Sequence, residues 1–488
     1  MSSGQATRHD EPAGLMSGAV AFWGDFIAAI TNVAPSTAIA LTLGAIVSFV
    51  GLSSPSVMLL VGIAMLCIAI AYDRLNFWAP SAAAQAVWVA RAIRPVIGVG
   101  LGIMIMIESV VSNIANSTLF GPYFLGIVSP DQASNGGLQF LVSAVAMVIV
   151  LAIAIAGIRA AIRFQTYVVW VEYAIILSFA LILLQAELSG HPGSQVPSLA
   201  WLLPNQAPDW QSFVTAVAIA VFAFGGWESA VYLAEEQQDA HRHPGRAGIL
   251  AAAFCTVWFV FLFMVIEAIA PTKDLVAHQA NVIAYAASVV MPAPWPDIVS
   301  LAVLSSVVAV VQSQLQVFSR LGFGLAREGL LPKKLSELSG SRTPWVGLIV
   351  AAVIPVVMLG VYLANQSAAQ VLTLVSGTAG ILYLAMYVVA ALACMWYFRR
   401  TLSQGGSHLF YAGILPAIGV VILLVALGAA IPTTPVGTLI PAIIFVFAGI
   451  PIAYWIKAAT HSPFFDQKPS VAAASDWGPG AVAAEDAG

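Results

Sequence analysis

Residues 222–236 read FAFGGWESAVYLAEE, which sets two glycines and a carboxylate inside an apolar run long enough to cross a bilayer. The run begins near Gln211, and about thirteen residues of helix at ~1.5 Å each reach only ~20 Å into a ~30 Å hydrocarbon core. Gly225 and Gly226 therefore fall near mid-membrane. Glycine costs about 1 kcal/mol relative to alanine in a helix, and a carboxylate at membrane depth costs ~2.5 kcal/mol or more. One explanation is a helix broken at depth, whose freed N–H and C=O groups face protein, water or a bound molecule. The other is a small-residue packing notch, with Glu228 hydrogen-bonded to a neighbouring helix.

The composition leaves little choice of fold class. Sixty per cent of the 488 residues are hydrophobic, 8% are charged and mean hydropathy is +0.94, whereas charged residues make up about a quarter of soluble domains. Twelve apolar runs of about 20 residues or more predict an all-α polytopic membrane protein with 12 transmembrane helices. The net charge of −4 says little. Cys67, Cys255 and Cys394 lie inside apolar spans with no paired spacing, so neither a disulfide framework nor a metal site is suggested.

In order, residues 1–17 read as a polar, cytoplasmic N-terminal tail with no cleavable leader, since Arg8 and Glu11 precede the first long apolar run. The first span, 18–50, carries TNVAPSTAIA at its centre. Pro35 removes a backbone donor there, and Asn32, Ser36 and Thr37 place polar groups where lipid wants none, through a break or an ordinary proline kink. Span 2 covers 55–72, and SAAAQAVWVARAIRP reads as a short helix at the membrane surface. Spans 3 to 5 fall near 96–127, 139–158 and 163–186, and the loop 188–209 lies outside. Span 6 (211–238) is followed by span 7 (247–270), a proline-rich connector and span 8 (298–326). Spans 9 to 12 lie near 345–364, 368–398, 410–430 and 437–457, and 458–488 reads as a disordered cytoplasmic tail.

Loop charge sets the orientation, because lysine and arginine stay preferentially on the cytoplasmic side. With both termini inside, all eighteen basic residues except Lys273 are cytoplasmic. This predicts a multi-pass protein of the cytoplasmic (inner) membrane.

The interrupted spans 1 and 6 stand at corresponding positions in two consecutive sets of five. Paired broken helices of this kind point to a secondary transporter with inverted repeats and a midplane site. The first five-helix repeat would cover 18–186 and the second 211–398, with helices 11 and 12 in 410–457.

These residues also resemble a family. FAFGGWESAVYLAEE followed by HRHPGRAG resembles the sixth-span signature of the amino acid, polyamine and organocation (APC) transporter superfamily. SRLGFGLAREGLLPKKL, from Ser319 to Leu335, is similar to that superfamily's eighth-span ending, and SAAAQAVWVARAIRPVIG to the approach to its third span. The resemblance covers spans 1 to 10 and implies a leucine-transporter-type five-plus-five inverted repeat, with broken helices 1 and 6 and two peripheral helices. It implies an amino acid or amine permease working by alternating access, coupled to protons or sodium or running as an exchanger.

An amino acid offers a carboxylate and an ammonium, and opened helix ends offer partners for both. The substrate carboxylate is assigned to the backbone around Pro35, Ser36 and Thr37, and the ammonium to carbonyls near Val33 and Phe224. Gly225 gives backbone access, and Phe222, Phe224 and Trp227 are candidates to cover the bound molecule or simply to pack. Asp25, Glu108, Glu172 and Glu228 sit at or near membrane depth. Glu228 is expected to couple opening of the site to protonation or to substrate, and Glu172 is the second coupling candidate. Asp25 is expected to snorkel or pair with hydroxyls. Glu108, six residues after Gly102, resembles the cationic amino acid branch of the superfamily, which implies pairing with a positive substrate group. Its bland alternative is satisfaction by Ser109, Asn113 or a neighbouring helix. Asn113, Asn116, Gln312 and Gln314 are read as interhelical hydrogen-bonding groups.

No HExxH, GxSxG or GxxxxGK[ST] string is present, so neither an enzyme nor an ATP-driven pump is predicted. No cofactor or nucleic acid partner is expected. The expected partners are the lipid bilayer, a small amino acid or amine, and a coupling proton or sodium. A substrate-gated channel or a non-transporting membrane sensor is the alternative. Exact substrate and oligomeric state are not written in the residues.

Overall fold

Proline and glycine punctuate the first apolar run. In the computed structural model, which describes residues 14–278 and 281–472, α1 (Phe22–Val33) ends at Ala34, where φ is +48°. α2 (Pro35–Val50) starts at the next residue. Pro35 lacks an N–H and crowds the turn before it, so a helix restarts there more readily than it continues. Gly51 then turns the chain into α3 (Ser54–Trp78). Residues 1–13 and 473–488 of the two expected tails lie outside the described residues.

The chain continues through α4 (Ala84–Ala92), α5 (Pro95–Val128), α6 (Gly136–Ile155) and α7 (Ile158–Leu188). A loop leads to α8 (Trp210–Phe224), the four-residue α9 (Ser229–Tyr232) and α10 (His243–Ile269). The connector holds α11 (Thr272–Ala277) and α12 (Val282–Val290) before the long α13 (Trp295–Arg327). α14 (Trp345–Asn365), α15 (Ala368–Phe398), α16 (Gly406–Leu409), α17 (Leu415–Thr433) and α18 (Val436–Thr460) follow.

Eleven stretches of helix among the described residues are long and apolar enough to cross a membrane, so this is an all-helical, multi-pass membrane protein. The first of these, Phe22–Trp78, is 57 residues long and contains α1, α2 and α3. Burial sorts the stretches into layers. The most apolar windows of the α1–α3 stretch, α5, α8–α9, α13 and α15 are 72% to 83% buried, whereas α18 is only 22% buried and α6 28%. Exposed side chains such as Val148, Trp170, Val357, Phe447 and Trp455 are the faces a bilayer would cover.

The short α4 gains detail, and one expectation needs correction. The short helix near residue 84 is covered by neighbouring protein: Ala84–Val89 of α4 are buried, and the Trp88 Nε1–H donates to the Ala79 carbonyl at 2.7 Å. Its all-round apolar character seats it against α5, where Gly98 leaves room for Ala86 and Ala90. The chain from residue 458 is likewise ordered as far as it is described. α18 runs to Thr460, Phe464 and Phe465 are buried, and the Ala472 N–H donates to the Tyr397 carbonyl at 3.1 Å. Burial of that aromatic pair holds a segment whose composition alone reads as loose.

Candidate functional site

The second interruption follows from its glycines. α8 stops at Phe224, residues 225–228 form turns, and Gly226 adopts φ +119°, which side-chain-bearing residues rarely take. A Cβ on Gly226 would overlap the Asn32 carbonyl, and one on Gly225 would overlap the Tyr383 ring. The two interruptions therefore pack directly on each other. The Asn32 Nδ2–H donates to the Gly226 carbonyl at 3.2 Å, and the Ser229 hydroxyl to the Ala28 carbonyl at 3.4 Å.

Beside this contact lies a small cavity of about 20 Å³. Of the residues expected at the site, Val33, Thr37, Phe222 and Gly225 line it. Pro35, Ser36, Glu108, Phe224 and Trp227 do not. Phe224 turns the other way, edge-on to Phe259 with ring centroids 4.9 Å apart. Trp227 stacks on Tyr387 at 5.4 Å and meets Tyr72 edge-on at 5.0 Å. The wall also includes Asn32, Ser112, Asn116, Gln314 and Tyr383, which were not assigned to the site from sequence. Asn32, two residues before the first break, carried a signal, whereas nothing in the apolar run of α15 marks Tyr383.

The buried carboxylates are held differently. Glu228 Oε2 accepts from the Tyr387 hydroxyl at 2.6 Å and from the Gly226 N–H at 3.0 Å, so it satisfies a donor freed by the break. Glu108 accepts from the Ser112 hydroxyl and stands beside Tyr383, one layer behind the cavity wall. Glu172 stands beside Ser36 and Ser306, at the start of α2. Asp25 neither snorkels nor pairs with a hydroxyl: it is fully buried, and neither carboxylate oxygen has a partner among the described residues.

The two ends of the bundle are unequal. At the end of α2 away from the break a vestibule of about 420 Å³ opens between α2, α8, α15, α17 and α18. Leu41 and Phe222 line both the vestibule and the small cavity, so they partition the two. Among the described residues, none that is charged lines either space. Vestibule hydroxyls of Thr42, Thr215, Ser376 and Thr434 donate to carbonyls of their own helices. At α8's vestibule end Asp209 caps the helix. The N–H and hydroxyl of Ser212 hold its carboxyl below the usual carboxylate range.

The opposite end, which carries most of the basic residues, is closed by paired charges. Arg320 of α13 meets Glu236 at 2.9 and 3.2 Å with both side chains 1% exposed, and Arg327 meets Glu235 through two 2.7 Å bonds. The Val20 N–H donates to the Glu236 carbonyl at 2.9 Å and the Gln238 N–H to the Val20 carbonyl at 3.1 Å. The chain entering α1 is thereby tied to the chain leaving α9. Among the described residues no group of three or more His, Cys, Asp or Glu is placed to hold a metal ion.

A family model described as amino acid permease matches residues 21–455. The chain is 29% identical to a D-serine/D-alanine/glycine transporter of Escherichia coli (strain K12), over 38% of this chain and 39% of the relative. It is 22% identical to a methylthioribose transporter of Bacillus subtilis (strain 168), over 57% of this chain and 62% of the relative. It is 28% identical to the large neutral amino acids transporter small subunit 2 of Homo sapiens, over 33% and 31%. The matches thus span less than two thirds of each relative's length.

Proposed function

The chain belongs to the amino acid permease family of the APC superfamily, and from that premise we propose that it is a secondary transporter of small, net-neutral amino acids or related amines. The observation that carries this reading is the direct contact of two interrupted helices around a cavity that is approached from one end and sealed at the other. Freed backbone groups at membrane depth are tolerated only where protein, water or ligand meets them. A cavity of about 20 Å³ has room for about one water molecule, so passage requires the wall to move. In this reading Phe222 and Leu41 thin toward the vestibule, and the Glu236–Arg320 and Glu235–Arg327 pairs open in the opposite half of the cycle.

The finer assignments follow the same logic. The 57-residue first stretch is far too long for one crossing of a ~30 Å core. Reading it as two crossings gives twelve in all, arranged as two repeats of five with α17 and α18 peripheral and both termini cytoplasmic. The substrate carboxylate is assigned to Thr37 and the first turn of α2, because Thr37 lines the cavity and its hydroxyl has no partner among the described residues. Glu228 and Glu172 are the coupling candidates, each touching an interruption. Neutral substrates fit better than cationic ones because no charged side chain among the described residues lines the route and Glu108 is engaged behind the wall. The relatives whose names mention alanine, glycine and large neutral amino acids support the same class.

The test is uptake of labelled L-alanine, D-alanine and glycine into proteoliposomes under imposed proton or sodium gradients, or with unlabelled amino acid inside. Accumulation above the bath concentration is expected. Flux that only equilibrates would indicate a channel, and binding without flux a sensor.

A further inference from the structure

Three side-chain amides line the central cavity, those of Asn32, Asn116 and Gln314, and each is anchored by its nitrogen end, Asn116 through its Nδ2–H to the Ser112 carbonyl at 2.8 Å. Asn32 gives its Nδ2–H to the Gly226 carbonyl at 3.2 Å, and Gln314 gives its Nε2–H to the Tyr383 hydroxyl oxygen at 3.0 Å. Their carbonyl oxygens, Asn32 Oδ1 and Gln314 Oε1, are buried without a partner among the described residues. Both residues line the cavity, on α1 and α13 respectively. An amide whose NH₂ group is anchored cannot flip without losing that bond, so its oxygen is a fixed acceptor.

The anchoring has a cause one layer back. Tyr383 stands beside Glu108, which also accepts from the Ser112 hydroxyl. The Tyr383 hydroxyl oxygen is taken up by the Gln314 Nε2–H at 3.0 Å, which leaves its proton to point toward the neighbouring Glu108. Glu108 then acts on the site through Tyr383 and not as a counter-charge in the cavity. The Ser109 hydroxyl, donating to the Gln314 carbonyl at 3.0 Å, holds the backbone of α13 at this level.

We infer that Gln314 and Asn32 are specificity-determining residues whose side-chain oxygens accept N–H bonds from the substrate's ammonium. The inference rests on the transport reading above and deepens it. Two fixed amide oxygens reward N–H donors at a definite position and give no lasting advantage to positive charge alone. A buried donor or acceptor left unmatched is penalised, so an analogue with the charge but no N–H is discriminated against. The ligand class is therefore a primary-amine zwitterion, with quaternary ammonium compounds excluded.

The experiment compares binding of L-alanine and N,N,N-trimethyl-L-alanine to purified wild type, Gln314→Leu and Gln314→Glu, by competition against labelled L-alanine and by thermal shift. Wild type is expected to prefer L-alanine, and Gln314→Leu to lose roughly tenfold or more of its L-alanine affinity while its weak trimethylalanine affinity stays unchanged. Gln314→Glu, which keeps an acceptor oxygen at the same reach, should retain L-alanine binding and so exclude a folding defect as the cause. The inference is overturned if Gln314→Leu keeps wild-type affinity for L-alanine, if both ligands weaken equally in it, or if Gln314→Glu loses L-alanine as completely as the leucine variant. Failure of the transport reading shows separately, as binding of L-alanine without accumulation in proteoliposomes, whereas a wild type that binds none of L-alanine, D-alanine and glycine overturns the inference as well.

Discussion

The Tyr387 hydroxyl donates to Glu228 Oε2 at 2.6 Å, while the same oxygen accepts the Gly226 N–H freed by the second interruption. One carboxylate thus joins α15 to the break. If that oxygen takes up a proton, both donors must share a weaker acceptor and the Gly226 N–H is held less firmly. The Glu228→Gln variant keeps an acceptor but cannot titrate. Uptake by this variant is expected to lose its pH dependence while remaining measurable. An unchanged pH profile would make Glu228 a structural cap only.

The two charge pairs at the sealed end should differ in weight. Arg320 and Glu236 are both 1% exposed, so Arg320→Gln leaves a buried carboxylate uncompensated, a loss of about 3–5 kcal/mol. Arg327 and Glu235 are 38% and 20% exposed, and Arg327→Gln should cost about 1 kcal/mol or less. Thermal unfolding in detergent orders the two variants, and equal shifts would contradict this account of the seal.

Gly226→Ala should abolish uptake. Its φ of +119° costs a side-chain-bearing residue about 1 kcal/mol or more, and the new methyl overlaps the Asn32 carbonyl where the interruptions touch. Gly428→Ala in α17 is the control. Nothing lies within 4 Å of a Cβ there, so helix propensity alone predicts a gain of about 0.5–1 kcal/mol and unaltered uptake. Uptake assays on both variants, with unfolding midpoints for the control, separate a requirement for Gly226 from general intolerance of alanine.

How much of this was legible depended on whether a feature is local. Pro35 and the Gly225–Gly226 pair interrupt a helix by their own backbone chemistry, so the breaks at Ala34 and after Phe224 could be read from the chain. Which aromatic lines the cavity could not. Phe222 and Phe224 are two residues apart on a helix, a turn of about 200°, and only tertiary packing decides that Phe222 faces the cavity and Phe224 faces Phe259. Tyr383 was hidden for the same reason, and Gln314, read as an interhelical hydrogen-bonding group, could not be placed at the cavity because the rotation of a long helix is set by its neighbours. The burial of α4 and the seating of Phe464 and Phe465 depend on partners distant in sequence.

Asp209 supplies a pH dependence outside the membrane spans. Bonds from Ser212 lower its folded pKa, so its contribution to stability is fully present above the unfolded value of about 4 and is lost as pH falls through the folded value. The unfolding midpoint of Asp209→Ala should therefore lie below wild type at neutral pH, with the gap closing in acid. A gap that persists unchanged at low pH would show that the capping bonds to the ionised carboxylate are not its source.

Glu108 decides the substrate's charge class. Were it a counter-ion for a cationic side chain, truncating it would cost cationic substrates about 2–5 kcal/mol and spare neutral ones. The geometry argues otherwise. Glu108 accepts from Ser112 and stands beside Tyr383, and it is Ser112 and Tyr383, not Glu108, that line the cavity. A carboxylate that works by orienting Tyr383, and through it the Gln314 amide, influences how every amino acid's ammonium is held. Neutral amino acids should therefore compete best for labelled L-alanine uptake on wild type, and Glu108→Gln should weaken alanine, serine and leucine by similar factors. Arginine, lysine and ornithine should compete poorly against both proteins. If arginine or lysine instead competes best on wild type and Glu108→Gln removes that preference alone, Glu108 reaches the substrate directly and the neutral assignment is wrong.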